Sequence, residues 1–160
     1  MWFICDGLGK TGGKECEVTV IAGIDDSPVS ELVVSRAIEH ARWMGTDLHV
    51  VHVTYMPIVY TEAAINWDEV VRAQRSSVWA GVQDALDQAD VSVERVDLEG
   101  YPPDSLVRYA TEVGASLLVL GTRGRGDLAS LILGSTSHRA IHLSACDVLV
   151  VKAPEAAEKA

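Results

Sequence analysis

The residues best suited to chemistry lie between 121 and 136. There the chain reads Gly121-Thr122-Arg123-Gly124-Arg125-Gly126-Asp127-Leu128-Ala129-Ser130-Leu131-Ile132-Leu133-Gly134-Ser135-Thr136. Glycine lacks a Cβ, so the chain bends sharply and its N–H groups approach a phosphate closely. Gly134-Ser135-Thr136 reads as the opening of a helix, whose first N–H groups favour an anion. Ser135 and Thr136 add hydroxyl donors, and Arg123 and Arg125 add positive charge. Bare main-chain donors, hydroxyls and guanidinium groups on one loop are the equipment for holding a phosphate chain.

The elements that must position this loop alternate. Val18 to Ile24 is a nearly continuous apolar run, as expected of a strand buried on both faces. Ser27 followed by Pro28 predicts an N-cap and a first helical residue. Leu32, Val33, Ala37, Ala41 and Met44 then recur at helical spacing until Gly45. Leu48 to Val53 is a second strand, and Tyr55 to Tyr60 a loop. From about 62 to 89, Trp67, Val70, Val71, Val78, Val82 and Leu86 mark a long amphipathic helix with a break near Gly81. Val91 to Leu98 is a third strand whose charges suit a sheet edge. After Gly100 and Pro102-Pro103, a helix to Gly114 buries Leu106, Val107, Ala110 and Val113. Ser116 to Leu120 is a fourth strand, Ser135 to Leu143 a short helix, and Val148 to Val151 a fifth strand. Strands alternating with helices imply right-handed βαβ crossovers and a parallel sheet. Ligands of such sheets bind at the carboxyl ends of the strands, where the order reverses. The loops after the first and fourth strands are therefore the ones to inspect.

Other constellations are weaker. Gly9-Lys10-Thr11 is like the end of a P-loop, but Ile4 stands where that motif needs its first glycine. His138 and His142 have a metal-binding spacing without an evident third ligand. Ser135 and His138 sit on one helix with no group to orient the histidine, so no nucleophile–base pair is assembled. His40, His49 and His52 are scattered, and Trp67 and Trp79 read as packing residues.

Composition excludes further classes. The 160 residues are 48% apolar and 22% charged, enough for one core and too apolar for a disordered chain. Thirteen Lys and Arg against 23 Asp and Glu give a formal charge of -10, which opposes general binding to nucleic acid or anionic membrane. Screening over about 8 Å still permits one local phosphate site. Cys5, Cys16 and Cys146 form neither a disulfide framework nor a zinc motif, and the expectation is a reduced cytoplasmic protein. No apolar run reaches the roughly 18 residues of a membrane helix. Asp6 and the glycines after it interrupt any signal-peptide core. Residues 1–16 read as a flexible arm and 153–160 as a polar tail, leaving 17–152 as the domain.

At this point the sequence resembles the universal stress protein family. Its nucleotide signature, G-x2-G-x9-G-[ST], is matched without a gap by Gly121, Gly124, Gly134 and Ser135. Gly23 and Ile24-Asp25-Asp26-Ser27 after the first strand, His52-Val53, and Val148 to Val151 belong to the same likeness. The resemblance implies a Rossmann-like α/β domain of strand order 3-2-1-4-5 with helices on both faces. It implies ATP as ligand, with Mg²⁺ or Mn²⁺. Adenine would lie near Val53 and Leu120, and Asp25, beside Gly23 and Ile24, would hold the ribose or adenine side. Gly121 and Gly124, with Arg123 between them, would line the ribose and phosphates, and Gly134, Ser135 and Thr136 would cradle the phosphates. It also implies a homodimer through the fifth strand, whose apolar edge is otherwise unguarded until Lys152. Many members have glycine at the position of Asp26 and proline at that of Asp147. The expected role is a stress-response sensor or regulator. The alternatives are a slow ATPase or autophosphorylating enzyme, and a member that binds cyclic AMP or no nucleotide. A response-regulator receiver is a further rival, with Asp25-Asp26, Asp97, Thr122 and Lys152 as its residues, but it needs an apolar, central third strand, and Glu94, Arg95 and Asp97 oppose that.

Overall fold

A computed structural model describes residues 18–55, 66–122 and 133–152. The arm, the tail, the segment 56–65 and most of the glycine-rich loop, with Arg123 and Gly124, lie outside the described residues. In chain order the elements are β1 (Thr19–Ile24), α1 (Ser30–Met44), β2 (Asp47–Thr54), α2 (Trp67–Ala80), α3 (Gln83–Asp87), β3 (Val93–Glu99), α4 (Pro102–Glu112), β4 (Ala115–Gly121), α5 (Ser135–Leu143) and β5 (Asp147–Val151). The five strands form one sheet in the order β3-β2-β1-β4-β5, and every pairing is parallel. The receiver alternative fails here, because β3 is an edge strand and not a central one.

Two apolar layers flank the sheet. Val20, Ala22 and Ile24 of β1 pack with Val33, Val34 and Ala37 of α1 and with Val78, Val82 and Ala85 of the α2–α3 segment. Ile21 of β1 and Val51 and Val53 of β2 pack with Leu106 and Ala110 of α4 and Ala140 of α5. The period-two alternation of each central strand feeds both layers, which is why these strands read as unbroken apolar runs. Beyond its terminus, α1 is closed by Gly45 at φ 65, a left-handed position that glycine adopts at little cost.

Two local expectations are corrected. Ser27 is not the N-cap of α1: residues 27–30 form a turn with Ser30 N–H bonded to the Ser27 carbonyl at 3.1 Å, and the helix starts at Ser30. The cause is competition from Asp25, whose carboxylate captures the Ser27 N–H and hydroxyl and holds that residue in a side-chain turn. The long helix breaks near Gly81 as expected, into α2 and α3 separated at Gly81 and Val82. Its apolar stripe is only partly buried. Val78 is the one fully covered residue of α2, whereas Val70 is 46% exposed.

Trp79 packs as expected and also carries a bond. Its Nε1 donates to Asp97 at 3.2 Å, and Arg95 lies 5.4 Å from its ring centroid. Asp97 also faces buried His52, its register partner on β2, at 3.2 Å. This polar tie fastens the otherwise thinly packed α2 to the sheet edge.

Candidate functional site

All strands run parallel, so their carboxyl ends share one rim of the sheet. From β1 the chain moves outward through β2 to β3, then crosses to β4 and β5 on the other side. The order therefore reverses between β1 and β4, the place where open sheets of this kind form their ligand crevice. Asp25 follows β1, Val53 lies one residue before the end of β2, Tyr55 follows β2, and Gly121 ends β4. The topology thus brings together the two loops that the sequence singled out.

The loop after β1 is tightly built. Asp25 N–H donates to Ser30 Oγ at 3.0 Å, and Ser30 Oγ in turn lies 2.8 Å from the Asp25 carbonyl and 3.1 Å from Oδ1. Oδ1 also accepts the Ser27 N–H at 3.0 Å and the Ser27 hydroxyl. Ser30 is 4% exposed, so its hydroxyl is a buried post under the loop. Each bond described for this carboxylate goes to Oδ1. Sequence reasoning missed Ser30, although a serine five residues after the aspartate, at the start of the apolar period, was the available signal.

On the other side, the ends of the glycine-rich loop are pinned together. Thr122 N–H donates to the Val151 carbonyl at 2.9 Å, and Gly134 N–H donates to the Thr122 carbonyl at 2.7 Å. The buried Ser137 hydroxyl bonds the Gly121 carbonyl. These contacts fix the start of α5 against the end of β4. Gly134 is the N-cap residue at φ −60 and ψ 153, angles open to any residue, so its backbone conformation does not require glycine. Among the described residues no side chain caps α5, and its first turn contains no acid. The first N–H groups of a helix have no partner within the helix, which suits such a turn to an acceptor from outside it. Ser135 and Thr136 are the first two residues of that turn.

The remaining residues form the floor. Val53 and Leu120 belong to the same apolar cluster on the α4 side of the sheet. Leu120 is 2% exposed, so its side chain is mostly core. Gly23 lies between them on β1, opposite Val51, and Ile24 lies opposite His52. A Cβ at Gly23 would stand 2.5 Å from Leu120 Cδ2 and 3.2 Å from Leu106 Cδ1. Its glycine identity is therefore explained by packing, because α4 and Leu120 close over a strand position with no room for a methyl group. Ile24 is buried towards α1, on the opposite side from Val53 and Leu120. Among the described residues no group of three or more His, Cys, Asp or Glu is placed to hold a metal ion. His138 and His142 meet ring to ring, with centroids 4.8 Å apart.

These features define a doubly wound α/β domain with its crevice between an acidic loop and a helix N-terminus. The sequence profile of the universal stress protein family matches residues 19–152, and the chain belongs to that family. A universal stress protein of Methanocaldococcus jannaschii is 28% identical over 147 residues, spanning 89% of this chain and 86% of that protein. A universal stress protein of Mycobacterium tuberculosis is 34% identical over 139 residues, 83% of this chain. The alignment spans 45% of that longer relative. Among solved structures, a universal stress protein in complex with cAMP is 29% identical, with a TM-score of 0.64, covering 86% of this chain and 98% of that one. No helix among the described residues is long and apolar enough to cross a membrane.

Proposed function

We propose that the chain binds ATP with Mg²⁺ or Mn²⁺ at the carboxyl rim between β1 and β4, and acts as a stress-response sensor or regulator. The observation that carries this reading is the uncapped, acid-free first turn of α5, pinned against the end of β4 by the Gly134–Thr122 bond. In a chain of formal charge -10, a phosphate chain needs such a local set of donors. Gly134, Ser135 and Thr136 hold the phosphates, with Arg123 and Gly124 contributed by the loop. Asp25 presents Oδ2 to a ribose hydroxyl while Oδ1 keeps its own loop in place. Val53 and Leu120 border the adenine. A bound divalent cation neutralises phosphate charge that the protein itself has few cations to balance.

This donor set fits a phosphate ester and assembles no general base against a nucleophile, so the reading is a nucleotide-responsive protein with at most slow hydrolysis or autophosphorylation. The cAMP-bound relative favours a second reading, in which the cyclic monophosphate is the ligand. Calorimetric titration with ATP, ADP, AMP and cAMP decides between them. The ATP reading requires that the triphosphate bind tightest, and tighter binding of cAMP overturns it. Phosphate release by the wild type, lost in Ser135→Ala, would establish turnover.

The proposal extends to assembly in the cytoplasm as a homodimer. At the free edge of the sheet, Val148, Leu149 and Val150 of β5 are partly exposed, and Ile141 and Leu143 of the adjacent α5 are about half exposed. Pairing of β5 with its copy would satisfy the edge and cover this apolar surface.

A further inference from the structure

We propose that Tyr55 and Tyr101 form an aromatic wall at the β2 side of the crevice and recognise the planar heteroaromatic base of the ligand. The inference rests on the nucleotide-binding reading above and adds to it the group that reads the base. Tyr55 directly follows β2, and Tyr101 is the residue before α4. Their rings meet edge to face with centroids 6.0 Å apart. Tyr55 is 52% exposed and Tyr101 46% exposed, so about half of each residue's surface lies open at the rim where the ligand would enter.

The two rings are held there by the main chain. Gly100 N–H donates to the Thr54 carbonyl at 3.0 Å, a bond that joins the residue before one tyrosine to the residue before the other. Gly100 adopts φ 128, a conformation that side-chain-bearing residues rarely reach. A Cβ there would also stand 2.8 Å from Ser105 Oγ. Ser105 is 3% exposed, and its N–H bonds the Tyr101 carbonyl at 3.0 Å. A glycine-only turn and a buried serine therefore fix a pair of surface aromatics. Rigid aromatic rings lose little entropy when a planar ligand stacks on them, and edge-to-face pairing leaves ring surface free.

Position supplies the link to the base. Val51 and Val53 belong to the α4-side cluster, and Tyr55, just past the end of β2, meets Tyr101, the residue just before α4. Two residues along a strand are about 6.6 Å, roughly the width of a base. Ile24 pairs with His52, which sets Asp25 beside Val53. A base resting at Val53 with its sugar at Asp25 thus has Tyr55 as its next neighbour towards the rim. Stacking on an aromatic side chain does not depend on phosphate number, so the wall would act alike on a nucleoside and a nucleotide.

The test compares wild type, Tyr55→Ala, Tyr101→Ala and the two Tyr→Phe variants in calorimetric titrations with MgATP, adenosine and inorganic tripolyphosphate. Removing a stacking aromatic should weaken MgATP and adenosine by roughly five- to a hundred-fold. Tripolyphosphate binding should stay unchanged, and both Phe variants should bind like wild type. Alanine variants that bind MgATP as wild type does would overturn the inference and leave the nucleotide site standing. An equal loss of tripolyphosphate would also overturn it, since a general distortion would then explain the effect. A wild type that binds neither MgATP nor adenosine would sink both this inference and the reading beneath it.

Discussion

Replacing Gly23 by alanine tests whether the crevice floor is built by close packing. The new Cβ would stand 2.5 Å from Leu120 Cδ2, with Leu106 Cδ1 and Cδ2 at 3.2 and 3.4 Å. Leu120 is the side chain that must move, and at 2% exposure it has little space to enter. Forcing one methyl group into a filled core costs about 1–3 kcal/mol. Against this, alanine restricts the unfolded chain and returns about 0.4–1 kcal/mol. With mid-range values for both, the net loss is about 1.3 kcal/mol, which lowers Tm by roughly 3–5 °C in a domain of this size. The assay is a double-mutant cycle by denaturant unfolding. Leu120→Ala removes the atom that clashes, so Gly23→Ala in that background should be neutral or stabilising, with a coupling of about 1–2 kcal/mol. A Gly23→Ala protein as stable as wild type, or one whose cost is the same in both backgrounds, would refute the packing argument.

Three other outcomes are expected. Asp25→Asn keeps an acceptor for Ser27 and Ser30 and should cost little stability, whereas Asp25→Ala should cost about 1–3 kcal/mol in a denaturant melt; both should weaken ATP and adenosine in calorimetry. Hydrogen bonds from Arg42 hold the Asp90 carboxyl below its ordinary range, so this pair's contribution is full above the unfolded carboxylate pKa of about 3.9 and is lost as pH falls through the lower folded value. In Arg42→Gln, a carbon-detected titration of Asp90 should show its pKa rise. Val150→Asp should give monomer or aggregate in sedimentation, and an unchanged dimer would remove β5 as the interface.

Sequence pattern made the architecture legible because burial on both faces forces nearly unbroken apolar runs, as at β1, β2 and β4, while β5 carries such a run at a partly exposed edge. Charge within Glu94-Arg95-Val96-Asp97 placed β3 at an edge, and the sheet puts it there. What the pattern hid was side-chain competition at element ends. Ser27 looked like a cap by residue type, but Asp25 two positions earlier takes its N–H, and only the folded loop shows which acceptor wins. Gly23 looked like part of a ligand motif, while its close neighbours come from β4 and α4, distant in sequence. Tyr55 and Tyr101 stood in loops 46 residues apart, and the Gly100–Thr54 bond that brings them together is a tertiary fact with no local signature. Of the residues proposed to hold phosphate, Gly121 ends β4 and Gly134, Ser135 and Thr136 open α5, and Arg123 and Gly124 lie outside the described residues.

The most direct measurement is an amide nitrogen–proton correlation spectrum recorded during titration with MgATP. The account predicts saturable shifts at Asp25, Gly121 and Gly134 to Thr136, with the amides of α2 and α3 unmoved. Shifts confined to another part of the sheet, or a spectrum that MgATP leaves unchanged at millimolar concentration, would contradict it.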